Sequence, residues 1–308
     1  MKTQNNHVIE VTNLVKHYAD VRAVDGLSFE VHEREIFGMV GPNGAGKTTT
    51  IECIEGLRKP DGGSIRVLGL APQKEGYELR ERIGVQLQQS SLPPRLKVWE
   101  ALDLFASFYR RSIDWVPLLE QLGLAEKRNA PIDKLSGGQK QRLFIALAMV
   151  NDPELLFLDE LTTGLDPHAR RAMWDLVREF RDRGKTVFLT THYMEEAEHL
   201  CDRVAIIDQG GIVALDTPDN LIRNLGGEYR VKFNVDGIFD ATHLRSLEPV
   251  VKVEQNGHRV VVYGREDNLV STVVRTLESK GVHIQNLSTE QTTLDDVFLA
   301  LTGREMRD

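Results

Sequence analysis

The 308-residue chain carries 38 Lys and Arg against 46 Asp and Glu, a formal charge of −8. That balance offers no basic field to hold a polyphosphate backbone and makes nucleic acid a poor partner. The two cysteines, Cys53 and Cys201, are too few for a disulfide scaffold and too far apart for a metal knuckle, which points to a reducing cytosol.

Crossing a membrane takes about 20 consecutive apolar residues. The most apolar helical stretch, Leu143 to Val150, is short and follows the polar Lys140-Gln141-Arg142. Met1 to His7 is polar where a signal peptide would be apolar, so neither a membrane span nor secretion is expected.

In chain order, Ile36 to Val40 is a continuous apolar run, followed after Lys47 by a helical stretch from Thr49 to Leu57. Between Gln88 and Leu135 strands give way to helical segments near Val98 to Tyr109 and Trp115 to Leu122, bordered by Pro93-Pro94 and Pro131. Gln139 to Val150 reads as a helix apolar almost all round, hence buried. Leu155 to Leu158, Thr186 to Leu189 and Val204 to Ile207 are further apolar strands, alternating with helices from Pro167 to Arg181 and Met194 to Leu200. Apolar strands of this kind suit a sheet covered on both faces, so the alternation predicts an α/β domain with a largely parallel sheet and a helical insertion. Asp208-Gln209-Gly210-Gly211 reads as a hairpin turn into Ile212 to Leu215, and Thr217-Pro218 opens a short helix that ends near Gly226-Gly227.

Beyond Gly227 the rhythm becomes strand (Tyr229 to Asn234), weak helix (Thr242 to Ser246), strand (Val250 to Glu254), strand (Arg259 to Tyr263), helix (Asn268 to Ser279) and strand (His283 to Leu287), with Asn256-Gly257 as a hairpin turn. This βαββαβ order predicts a small ferredoxin-like α+β domain, closed by a helix from Leu294 to Leu301. The expected division is 1–227, with its insertion at about 89–135, and 228–308.

Gly41-Pro42-Asn43-Gly44-Ala45-Gly46-Lys47-Thr48 fits the G-x-x-x-x-G-K-[ST] pattern in its required setting, after a strand and before a helix. Backbone N–H groups of such a loop form an anion nest at a helix N-terminus; Lys47 reaches the outer phosphates and the Thr48 hydroxyl is offered to Mg²⁺. Together with the following Thr49 these residues are the expected nucleotide-binding set. Asp159 ends an apolar strand, where a carboxylate can hold the magnesium shell, and Glu160 follows at the strand's edge; adjacency alone does not separate metal ligand from base. Ser136 and Gln139 form an S-x-x-Q capping box. That box leaves Gly137 and Gly138 unexplained, since glycines in a first turn cost backbone entropy unless something approaches their N–H groups closely.

With Leu135-Ser136-Gly137-Gly138-Gln139 lying between the phosphate loop and Asp159-Glu160, the chain resembles ATP-binding cassette (ABC) ATPases. The resemblance implies that Ser136, Gly137, Gly138 and Gln139 cap the γ-phosphate of an ATP held by a second subunit, and that Glu160 is the general base. It implies also that Gln88 touches Mg²⁺ or water, that Asp166 of Gly164-Leu165-Asp166 crosses to the other subunit, that His192 is the switch histidine, and that Tyr18 stacks on adenine. Leu161 stands where the family has proline, which bears on the rigidity of that corner, and Thr163 where serine is frequent.

The implied function is an ATPase subunit working as a homodimer on a separately encoded membrane permease, peripheral on the inner face of the cell membrane. Leu92, Leu96 and Trp99 are candidates for the docking groove or for plain core. Tyr193 to Glu198, Ala214 to Pro218 and Thr293 to Gly303 resemble bacterial drug-exporter ATPases of the daunorubicin-resistance type, so export is the expected direction. The alternatives are an importer ATPase with a ligand-sensing tail and a soluble cassette protein acting on DNA or ribosomes.

Overall fold

Apolar runs too continuous to leave a wet face become the centre of a covered sheet. The computed structural model describes residues 7–86, 92–225, 229–235, 240–264 and 268–303. The first strands are β1 (His7–Tyr18) and β2 (Val21–His32), followed by β3 (Ile36–Val40), α1 (Lys47–Ile54) and β4 (Gly62–Val67). Next come α2 (Gly76–Arg80), β5 (Ile83–Gln86), α3 (Val98–Ala106), α4 (Trp115–Gln121), α5 (Gly137–Met149) and β6 (Leu155–Asp159). Then follow α6 (Pro167–Asp182), β7 (Thr186–Thr191), α7 (Met194–Leu200), β8 (Arg203–Asp208) and β9 (Gly211–Asp216).

A six-stranded sheet has the order β5-β6-β7-β3-β8-β9, with β5 through β8 parallel. Every residue of β3, β6 and β7 is buried, as expected for strands covered on both faces. The turn between β8 and β9 holds Gln209 at φ 49° and Gly210 at φ 80°, the paired positive values of a type I′ hairpin turn. Between β5 and α5 the described chain is helical, with α3, α4 and two short 3₁₀ turns, in agreement with the expected insertion.

A second sheet, antiparallel and three-stranded in the order β2-β1-β4, has no counterpart among the expected strands. Strand β1 obscures its own periodicity: the β1–β2 register shifts between Val11 and Leu14, next to Asn13 at φ 48°, and such a bulge breaks the alternation by which strands are recognised. The two sheets meet through phenylalanines. Phe29 of β2 stacks on Phe37 of β3 with ring centres 5.4 Å apart, and Phe188 of β7 lies 5.6 Å from Phe37 and 5.8 Å from Phe157 of β6.

The chain falls into two compact units, with the boundary after Leu215. The sequence placed it at 227. The difference is α8 (Pro218–Asn224), which packs on α11 (Leu294–Thr302) inside the second unit. Between them lie β10 (Tyr229–Val235), α9 (Thr242–Arg245), β11 (Val250–Asn256), β12 (Arg259–Gly264), α10 (Leu269–Ser279) and β13 (Ile284–Gln291). The sheet order β11-β12-β10-β13, antiparallel throughout, is that of two interleaved βαβ units. Its hairpin turn is shifted by one residue from the expected Asn256-Gly257, because Asn256 still pairs with Arg259 and the turn is Gly257-His258. The expected end of α8 at Gly226-Gly227 lies outside the described residues. Cys53 and Cys201 are free and buried, and among the described residues no helix is long and apolar enough to cross a membrane.

Truncating Phe188 to Ala removes the ring that touches the other three and leaves a cavity where the sheets meet. The expected loss is about 3–5 kcal/mol, read as a lowered urea midpoint at unchanged slope; a loss below about 1 kcal/mol would mean that this cluster does not hold the sheets together.

Candidate functional site

Three adjacent parallel strands bring the chemistry to one edge. In-register pairing sets Val40 opposite Thr191 and Asp159 opposite Thr190, so the residues that leave these strands emerge side by side. From β3 the chain enters the loop 41–46, from β6 it reaches Glu160, and from β7 it reaches His192. Tyr18, Ala23, Asn43, Gly44, Gly46, Lys47, Thr48, Thr49 and Glu160 line one hollow of about 360 Å³.

The loop's backbone is fixed by close packing. Gly46 caps α1 at φ 105°, and a Cβ built there would lie 2.2 Å from the Ala23 carbonyl oxygen. No other residue type fits without displacing β2. Gly44 also has positive φ, at 82°, and Ala45 N donates to Pro42 O. Thr48 is exposed and Thr49 half-buried at the start of α1.

Lys47 is only 4% exposed. Its ammonium donates to the Gly41 carbonyl at 2.8 Å and to the Pro42 carbonyl at 3.2 Å, and lies 3.7 Å from Glu160 Oε1. Burial lowers its pKa, opposed by the charges of Glu160 and Asp159. Burial conversely raises the Asp159 carboxyl, against a hydrogen bond donated by the Thr190 hydroxyl.

Glu160 takes a left-handed backbone, φ 49°, sparsely populated for a residue with a Cβ. Its N–H donates to Thr190 O and Thr190 Oγ1 at 3.0 and 3.2 Å, which holds the strained residue in place. His192 Nδ1 stands 3.3 Å from Glu160 Oε1, and Thr163 Oγ1 donates to Glu160 Oε2 at 3.4 Å. The His192 ring packs on Tyr193 at 4.1 Å, and the Arg170 guanidinium covers Tyr193 at 4.3 Å. Leu161 is buried. Behind these groups, buried Glu196 accepts from Trp174 Nε1 at 3.0 Å, and burial raises its pKa against that hydrogen bond. Nothing in the sequence beyond its place four residues after His192 marked Glu196.

Ser136 caps α5 as the capping box requires: its hydroxyl accepts from Gln139 N at 3.3 Å and its own N–H donates to Gln139 Oε1 at 3.0 Å. A Cβ on Gly137 would meet nothing within 4 Å, and one on Gly138 only the Ala169 Cβ at 3.7 Å. Packing within this chain therefore does not require either glycine. Asp166 has a sufficient local role as well, since it caps α6 by accepting from Ala169 N and His168 N, which lowers its pKa. Neither Ser136 to Gln139 nor Asp166 lines the hollow around Lys47. Gln88 lies outside the described residues.

Tyr18 stands at the hollow's mouth, its ring under Arg58 at 5.2 Å and Lys16 at 5.6 Å. For a divalent ion, the Thr48 hydroxyl and the Asp159 carboxylate supply hard oxygen donors. A set of so few protein ligands suits Mg²⁺, which keeps its waters and shares phosphate oxygens. Among the described residues no group of three or more acids, histidines or cysteines forms a cation cage.

A second hollow, of about 390 Å³, opens where α3 meets the core and is walled by Leu57, Tyr77, Phe105, Phe108 and Leu147, with Glu55 at its border. Leu92, Leu96 and Trp99 are half-buried and do not line it.

Two glycine substitutions are expected to differ in their effect on stability. Gly46→Ala drives a methyl into the Ala23 carbonyl and lowers the urea midpoint, whereas Gly137→Ala leaves stability unchanged or raises it by about 0.5–1 kcal/mol. Equal losses at both positions would contradict the geometry of the two turns.

Residues 24–163 match the family model described as ABC transporter. Over 309 aligned residues the chain is 39% identical to the Nod factor export ATP-binding protein I of Ralstonia nicotianae, covering 98% of this chain and 95% of that protein. Among solved structures, an ATP-binding subunit of an ABC transporter is similar with TM-score 0.65 and 30% identity, over 71% of this chain and 93% of that one. A dimeric ATP-binding cassette in a post-hydrolysis state, bound to ADP and Pi, is similar with TM-score 0.61 and 28% identity, over 68% and 98%. With a phosphate loop, a capped glycine turn and an acid pair in that order, the chain belongs to the ATP-binding subunits of ABC transporters and is an ATPase.

Proposed function

We propose that two copies of this chain close around two ATP molecules and thereby drive a separate membrane subunit that exports a small molecule. One observation carries the reading of the reaction: Glu160 Oε1 lies between Lys47 Nζ, at 3.7 Å, and His192 Nδ1, at 3.3 Å. In this reading the Gly41 to Gly46 backbone cradles the phosphates and Lys47 turns from its loop carbonyls to the outer phosphate charge. Glu160 takes the proton of the attacking water, and His192 orients Glu160 and the γ-phosphate. Thr48 and Asp159 would hold Mg²⁺, with Gln88 assigned on resemblance alone, and the ion would offset negative charge on the phosphates. Tyr18 stacks on the base.

The second copy is supported by the two glycines that this chain's own packing leaves unused. Ser136, Gly137, Gly138 and Gln139, and Asp166 beyond the acid pair, are assigned to the partner's nucleotide. Export is supported by the full-length relative's name, and a drug-like cargo by the likeness of the Tyr193 to Glu198 and Thr293 to Gly303 segments to drug exporters. The membrane subunit places the ATPase at the cytoplasmic face of the membrane.

Replacing Glu160 with Gln removes the base and spares the fold. Hydrolysis is expected to slow by about 10²-fold or more, and the variant is expected to accumulate with ATP as a dimer in size-exclusion chromatography with light scattering. A variant that hydrolyses normally removes Glu160 as base, and one that stays monomeric with ATP sinks the shared site.

A further inference from the structure

Tyr18 is placed where strand pairing alone does not fix a side chain. It is the last residue of β1, it pairs with Val21 across a two-residue turn, and Ala19 in that turn has a left-handed backbone at φ 47°. The register of β1 against β2 shifts between Lys16 and His17, just before it, and the residue is 38% exposed. An aromatic ring at the tip of an irregular hairpin gains no fixed plane from the strands that carry it.

Two cations supply the missing restraint. The Arg58 guanidinium lies 5.2 Å from the ring centre and the Lys16 ammonium 5.6 Å. Each is itself held: Arg58 Nε donates to Glu52 Oε2 at 2.5 Å, and Lys16 Nζ donates to Asp61 Oδ1 at 3.0 Å. Asp61 Oδ2 also accepts the backbone N–H of His17 at 2.8 Å, so the acid that holds Lys16 holds the strand beside Tyr18 as well. A cation within about 6 Å of a ring centre is attracted to its face, and a planar guanidinium stacks there. Ion pairs this open to solvent add little to folding stability, so stability alone does not account for the arrangement. Neither Arg58 nor Lys16 lines the hollow that Tyr18 borders, which leaves that space to a ligand.

We infer that Arg58 and Lys16 are positioning residues for the nucleotide base: they hold the Tyr18 ring in the plane on which the base stacks. This rests on the reading of Tyr18 as the base platform and deepens it. Helix α1, which begins at Lys47, Thr48 and Thr49, contains Glu52 and ends shortly before Arg58. One short helix therefore presents the phosphate contacts at its start and, through Glu52 and Arg58, fastens the base platform near its end. The span between phosphate cradle and platform is set before the nucleotide arrives, so less ordering is needed on binding. Without the cations the ring turns freely, and the base loses a prepared surface while the phosphate contacts stay intact.

The test is a double-substitution cycle on the full chain, with ADP binding read by calorimetry, since ADP carries the base and is the product of hydrolysis rather than its substrate. Tyr18→Ala is expected to weaken ADP about tenfold, and Arg58→Ala roughly three- to tenfold. In the double variant Arg58→Ala adds nothing to Tyr18→Ala, because the cation acts only through the ring. Arg58→Lys keeps a charge over the ring and restores most of the affinity. In ATP hydrolysis Arg58→Ala raises KM and keeps kcat within about twofold, as for a lost binding contact and an undisturbed reaction centre. Full ADP affinity in Arg58→Ala, losses that multiply in the double variant, or a fall in kcat at unchanged KM overturns the proposal. In each of these cases the base platform stands if Tyr18→Ala still loses ADP. Unchanged binding in Tyr18→Ala removes the platform reading and this inference with it.

Discussion

Parallel pairing in register is the constraint on which the rest depends. Because Val40 sits opposite Thr191 and Asp159 opposite Thr190, three strands end at one level, and the phosphate loop, the acid pair and His192 leave the sheet as neighbours. Ligand sites of open α/β sheets form at such carboxyl ends. Thr190 fastens the arrangement twice, donating its hydroxyl to Asp159 and accepting the N–H of Glu160. The phenylalanines beneath make the level rigid, since Phe37, Phe157 and Phe188 belong to the same three strands.

Buried charge is treated differently at the two hollows. At the edge of the sheet Lys47 faces two acids, so each ion has a partner and the carbonyls of Gly41 and Pro42 satisfy the remaining ammonium donors. This makes a group of charges that phosphate can enter by exchanging oxygen for oxygen around Lys47. Near α3 a single acid has no such partners. The first arrangement suits a charged ligand, whereas the second leaves a buried carboxyl without a hydrogen-bond partner.

Motif-bearing parts of the molecule were legible because local chemistry dictates them. The phosphate loop fits its pattern between a strand and a helix, the Ser136–Gln139 capping box forms as spaced, and uninterrupted apolar runs became the central strands. The split βαββαβ order also followed from alternation and turn residues. Features fixed by distant contacts were not legible. The sheet β2-β1-β4 escaped because its bulges break the period, though the alternation at Leu27, Phe29 and Val31 offered a signal in β2. Helix α8 went to the second unit because of its packing on α11, which local sequence does not encode. Likewise, Tyr77 of α2, Phe105 of α3 and Phe108 in the turn after it meet around one hollow, and no spacing rule places them there. Glu160 is intermediate: its identity was readable, and its left-handed backbone was not.

The central claim is that one chain holds half of each nucleotide site. Gly137 and Gly138 have room that this chain's packing does not use, and in the proposed dimer that room takes a nucleotide held by another copy. The most direct measurement mixes Lys47→Ala subunits with Ser136→Arg subunits and counts nucleotide occluded per dimer. Each variant alone spoils both sites, whereas the mixed dimer keeps one site with an intact phosphate loop from one copy and an intact glycine turn from the other. Occlusion is predicted in the mixture and in neither variant alone; a mixture that traps no more nucleotide than its separate components would contradict the shared site.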